Sequence, residues 1–161
     1  MVELEVLGVS SDGQHQPAVL LRHDDRFLPI AVGFPEADAI HAALTGRDYG
    51  RPMTHDLICN LLAGLHGELK SVTIYKLENE TFYAHLNIEQ RTAEGQVEQV
   101  LRVDSRPSDG IAIACRVNAP IFAAELVMDL ASQDMSILGP PEDADDEDTD
   151  TDTDADPDFE E

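Results

Sequence analysis

Arg51-Pro52-Met53-Thr54-His55-Asp56-Leu57 and Asp104-Ser105-Arg106-Pro107-Ser108-Asp109 share one build: an arginine, a proline, then hydroxyl and carboxylate residues ahead of an apolar run. Proline fixes φ and suits the first turn of a helix, while Thr, Ser and Asp side chains satisfy free N–H groups there. Each stretch reads as a loop turning into a helix, with polar side chains gathered at the positive end of the helix dipole. Thr54 is the expected cap of a helix running to about residue 66. The apolar run 111–115 predicts a helix buried against a sheet.

Outward from these junctions, the pattern is strand-rich. Val2, Leu4 and Val6 alternate with Glu3 and Glu5, the period of a half-buried strand. Stretches 17–22 and 27–32, separated by His23-Asp24-Asp25, predict two more strands in an antiparallel meander. Pro35 to Asp38 opens a helix that Gly46 stops. Leu57, Ile58, Leu61, Leu62 and Leu65 form one arc of the helix after Thr54, with His55 at its border. Strands follow over 68–77, 81–89 and 97–104, the first two joined by Asn79-Glu80. Asn118-Ala119-Pro120 stops the buried helix, a short strand follows over 121–123, and a last helix over 125–131. The pattern predicts an α+β domain: a mixed, largely antiparallel sheet packed by three to four helices, in a single domain over 1–138.

Composition adds constraints. Of 161 residues, 33 are acidic and 10 are Lys or Arg, for a formal net charge of −23. Thirteen of the acids fall between Glu142 and Glu161, where there are no bases. Residues 139–161 offer almost nothing to bury, and such a tail is expected to be disordered. The remaining chain still carries twenty acids against ten bases, eight of them arginines. So acidic and lysine-poor a surface suggests a cytoplasmic protein adapted to concentrated salt. Cys59 and Cys115 stand in no metal or redox spacing and read as buried thiols. The start of the chain carries neither a signal-peptide pattern nor a membrane span, so no membrane partner is expected.

Four ordered stretches carry a family likeness. Leu28-Pro29-Ile30-Ala31-Val32-Gly33 leads into Glu36-Ala37-Asp38-Ala39-Ile40; then come Arg51–Leu57, Thr81-Phe82-Tyr83-Ala84, and Asp104–Asp109. In this the chain resembles the bifunctional nuclease (BFN) domain family. The resemblance implies an α+β domain and a nuclease hydrolysing phosphodiester bonds of both DNA and RNA. It brings no defined catalytic set. Gly110 departs from it, standing where the family pattern has alanine, which predicts a looser helix start.

Residue roles therefore come from chemistry. Phosphodiester hydrolysis needs an activated water and positive charge on the phosphate, which carboxylate-held divalent cations such as Mg²⁺ or Mn²⁺ commonly supply. The candidate catalytic residues are His55, Asp56, Asp104 and Asp109, and the candidate metal ligands are Glu36, Asp56 and Asp109. Arg51 and Arg106 could clamp phosphate with a planar fork. Each has a plain structural alternative. Asp56, Asp109 and Glu36 suit helix first turns, Arg106 suits an ion pair with Asp104 or Asp109, and His55 suits a half-buried satisfied histidine. A non-catalytic binding or regulatory module and a structural homo-oligomer stay open beside the nuclease.

The charge balance carries its own consequence. Dilution unscreens carboxylate repulsion, because the Debye length grows from about 3 Å near molar salt to about 10 Å at 0.1 M. The thermal midpoint should fall by many degrees between molar and tens of millimolar salt, followed by circular dichroism. A flat or rising midpoint would remove the salt-adapted reading.

Overall fold

The strands assemble in the order β6-β5-β4-β7-β1-β2-β3-β8 in a computed structural model that describes residues 1–11 and 15–138. They are β1 (Val2–Ser10), β2 (Ala18–His23), β3 (Arg26–Ala31), β4 (Gly67–Glu78), β5 (Thr81–Arg91), β6 (Val97–Ser105), β7 (Ile121–Ala123) and β8 (Gln133–Asp134). The described helices are α1 (Phe34–Thr45), α2 (Thr54–Gly64), α3 (Pro107–Val117) and α4 (Glu125–Ala131), followed by a 3-10 turn over Met135–Leu138. All neighbouring strands pair antiparallel except β4 and β7. The fold is thus a single α+β domain with a mixed, mostly antiparallel sheet. The expected tail over 139–161 lies outside the described residues. No described helix is long and apolar enough to cross a membrane.

Alternation decides which sheet face is covered. Val72 and Ile74 of β4, Ala84, Leu86 and Ile88 of β5, and Ile121 and Ala123 of β7 are buried and in register with one another. Against them lies α3, whose Ile111, Ala112, Ile113 and Ala114 are all buried. At roughly 25 cal/mol per Å² of apolar surface, burial in this layer stabilises the fold together with the core residues of β1, β2, β3, α1 and α4. Its helix ends as expected, with Asn118 in the left-handed region (φ 54°) and its N–H on the Ala114 carbonyl. Gly46 closes α1 in the same way at φ 65°.

Three local expectations need correction. Thr54 does not cap α2: the cap position is Met53, whose N–H donates to Asp56 Oδ2 at 2.8 Å. The carboxylate three residues on reaches back to a free N–H that the hydroxyl does not take. Gly110 does not loosen α3. It is buried, and a Cβ there would stand 2.8 Å from Val72 Cγ1, so the missing side chain is what lets α3 sit close on the sheet. The α2 arc is also split. Ile58 and Leu62 pack on the core, but Leu57, Leu61 and Leu65 remain 52%, 55% and 62% exposed, because α2 meets α3 and β4 along one edge only.

A methyl at position 110 must therefore push Val72 aside. Gly110→Ala should gain helix propensity of about 1 kcal/mol yet still lose net stability, since overpacking costs about 1–3 kcal/mol. Gly110→Val should lose more. Denaturant midpoints of the two variants check this; a stabilised Gly110→Ala would show that the contact relaxes freely.

Candidate functional site

The starts of α1, α2 and α3 converge. Pro35, Glu36, Asp38, Ala39, Tyr49, Met53, Thr54, His55, Ile58, Arg106, Asp109 and Arg116 line a cleft of about 460 Å³ between them. Both junctions quoted at the outset contribute, since His55 Nε2 lies 3.0 Å from Asp109 Oδ1. His55 is nearly enclosed, its side chain only 12% exposed.

Asp109 is the most heavily bonded acid of the cleft. Arg106 Nε donates to Oδ2 at 2.8 Å and Arg106 Nη2 to Oδ1 at 3.1 Å, on the oxygen that also meets His55. Burial pushes the Asp109 carboxyl up, but the bonds from Arg106 and His55 together outweigh it and hold the group below the ordinary carboxylate range. An ionised carboxylate only accepts, so His55 Nε2 carries the hydrogen between them. The far side of the Arg106 guanidinium donates from Nη1 to Glu36 Oε1 at 3.0 Å. Gly33 leaves room for the Glu36 carboxylate, which a side chain there would strike. Asp109 and then Glu36 stabilise the charged guanidinium and raise its pKa.

Asp56 points to a second arginine. Arg116 Nε donates to Asp56 Oδ1 at 2.6 Å, and Arg116 Nη1 donates to the Ala39 and Ala112 carbonyls at 3.0 and 2.9 Å. Arg116 first, then the Met53 N–H, hold the Asp56 carboxyl below its usual range. Sequence reading passed over Arg116. Its only signal was a lone cation in the last turn of an otherwise apolar helix. Tyr49 was also passed over; its hydroxyl donates to Asp38 Oδ2 at 2.8 Å.

Two candidates lie elsewhere. Asp104 stands opposite His85 on β6, one residue from Val103 and Ser105, and so on the sheet face turned away from the helices. It shares a recess with Tyr75, His85 and Arg102. Arg51 lines a neighbouring recess with Arg47, Asp48, Tyr49 and Asp56. The three acids expected to hold a divalent cation are apportioned between two arginines, Glu36 and Asp109 on Arg106 and Asp56 on Arg116. Among the described residues no group of three or more His, Cys, Asp or Glu side chains is arranged to hold a metal ion. A cation at Glu36 and Asp109 would have to displace Arg106, so the donors as arranged do not fit one. Burial pushes both thiols up, Cys59 and Cys115, against chemistry as thiolates.

The family model described as "Bifunctional nuclease domain" matches residues 18–136. The chain belongs to the bifunctional nuclease domain family. The match spans α1, α2 and α3, and so contains the whole cleft. An uncharacterized protein of Mycobacterium tuberculosis is 42% identical over 131 residues, covering 80% of this chain and 74% of the relative. Bifunctional nuclease 2 of Oryza sativa subsp. japonica is 32% identical over 109 residues, 66% of this chain and 33% of the relative. Bifunctional nuclease 1 of Arabidopsis thaliana is 29% identical over 108 residues, 65% of this chain and 32% of the relative. The chain thus matches about a third of the length of these two plant proteins.

Two consequences concern stability. Arg116→Met strands a carboxylate and two carbonyls where three helices meet, and should cost about 2 kcal/mol in a chemical melt at high salt. The second concerns pH. Asp56 and Asp109 titrate below their unfolded values near 3.9, so their contribution is present above that pH and fades as pH falls through the folded values. Acid unfolding should therefore set in below about pH 4, and Asp109→Asn should flatten that limb. An unchanged acid limb in Asp109→Asn would mean that the carboxylate adds nothing to folding.

Proposed function

We propose that the cleft hydrolyses phosphodiester bonds in DNA and RNA, with His55 as general base and Asp109 as the group that orients it. One observation carries this reading: a nearly enclosed imidazole bonded to an ionised carboxylate, at a polar cleft, in a chain of the bifunctional nuclease domain family. With hydrogen on Nε2 held by Asp109, Nδ1 is left as the basic nitrogen. It takes the proton of an attacking water, the water oxygen bonds to phosphorus, and the leaving oxygen departs with a proton returned by the imidazolium. The same pairing of base and orienting carboxylate recurs in unrelated hydrolases.

Positive charge for the phosphate comes from the arginines. Arg106, 64% exposed, spans Glu36 and Asp109 at the cleft, and a phosphate oxygen can share its outward N–H groups. Arg51 has no ion-pair partner among the described residues and lies next to the cleft, ready for a neighbouring phosphate. Asp56, with both oxygens engaged at the start of α2, positions the helix that carries His55. No step of this reading passes through a divalent cation.

Purified protein should nick single- and double-stranded DNA and RNA. His55→Ala and Asp109→Asn should each lower the rate about 10²–10⁴-fold, the range for a lost general base. Parallel arms with chelator and with added Mg²⁺ or Mn²⁺ decide whether a cation takes part. Cleavage that survives in both variants would refute the His55–Asp109 assignment. No cleavage of any substrate in any arm would leave the family fold as a binding module.

A further inference from the structure

The sheet face turned away from α3 is built for contact. On β4 and β5 its residues are Ser71, Thr73, Tyr75, Tyr83, His85 and Asn87, in alternation with the buried set. At one end Asn87 Nδ2 donates to Ser71 Oγ at 2.8 Å and Thr73 Oγ1 at 3.1 Å, a satisfied polar network. The other end differs. Tyr75 stands 5.1 Å from the His85 ring and 6.4 Å from the Tyr83 ring, both tilted, and is 42% exposed. Beside these rings Tyr75, His85, Arg102 and Asp104 enclose a recess of about 440 Å³.

Arg102 is the unusual member. Eight of the ten lysines and arginines are ion-paired, as expected where acids outnumber bases more than three to one. Arg102 makes no side-chain hydrogen bond or ion pair among the described residues, and neither does Asp104, two residues along the same strand face. Burial first, and the Arg102 charge second, lower the His85 pKa, so near neutral pH its ring is an uncharged stacking surface. A cation and an acceptor without partners among the described residues, an exposed Tyr75 ring and a half-buried His85 ring therefore converge on one recess.

We propose that this recess binds a nucleotide unit, its base against the Tyr75 and His85 rings, its phosphate at Arg102, and an amine or hydroxyl donating to Asp104. The choice of a nucleotide among aromatic anions rests on the nuclease reading; the recess and its free groups do not. The site lies across the sheet from the His55–Asp109 cleft, so it holds a strand without entering the reaction. Stacking also suits this protein physically. A chain of net charge −23 gains little from broad phosphate attraction, whereas ring stacking needs no basic patch and survives concentrated salt.

The test uses the full chain in molar potassium chloride with chelator, below the time of any cleavage. Binding of a short labelled single-stranded oligonucleotide is followed by fluorescence anisotropy, and binding of adenosine monophosphate by calorimetry. Tyr75→Ala and Arg102→Gln should each weaken binding about tenfold or more, while Tyr75→Phe, which keeps the ring and reports on folding, should bind like the parent. An oligonucleotide much tighter than the mononucleotide identifies a strand as the ligand; equal affinities identify a free nucleotide. Either supports the site. Unchanged affinity in both Tyr75→Ala and Arg102→Gln, or no binding by the parent, overturns it. That outcome leaves cleavage by His55 and Asp109 untouched, and absent cleavage would leave this binding result standing.

Discussion

Arg116 holds the arrangement of helices on which the cleft depends. One guanidinium, 12% exposed, bonds the Ala39 carbonyl of α1, the Asp56 carboxylate of α2 and the Ala112 carbonyl of its own α3. Apolar packing alone tolerates helices sliding by small amounts, since dispersion contacts are individually weak and non-directional. A planar fork with fixed donor directions does not. The Arg116 bonds therefore set where the first turn of α2 lies relative to α3, and with it the 3.0 Å separation of His55 and Asp109.

The same chemistry explains how so acidic a chain keeps a defined polar centre. Glu36, Asp56 and Asp109 would repel one another if left alone, but two guanidiniums divide them. Arginine suits this better than lysine, because its fork meets two acceptors at once and stays charged when half-buried. The cost is that all three carboxylates are committed to arginines. The open sheet face follows the opposite rule. There the polar groups at one end are satisfied among themselves, whereas Arg102 and Asp104 at the other have no hydrogen-bond or ion-pair partner among the described residues.

Much of the fold was readable along the chain. The alternation in Val2–Val6 and in Phe82–Ile88, the stops at Gly46 and Asn118, and the apolar run of α3 each express a period or a backbone preference carried by neighbouring residues. Each Arg-Pro junction was readable as a helix start, but their meeting was not, because it depends on how α2 packs against α3, which neither stretch carries. Gly110 was misread for an instructive reason. Its helix propensity is a property of the residue, but the 2.8 Å approach of Val72 is a property of the partner strand, some forty residues away.

The sequence by itself determined the α+β class, the order of elements along the chain as far as α4, the acidic balance and the family likeness, since these rest on local periodicity, composition and short motifs. Only the tertiary structure decided the partners. It gave Asp109 to His55 and Arg106, Asp56 to Arg116, and turned Asp104 to the far face beside Tyr75 and Arg102. A strand sends successive side chains to opposite faces, and a side chain reaches only a few ångströms, so the fate of each carboxylate depends on which distant segment packs beside it.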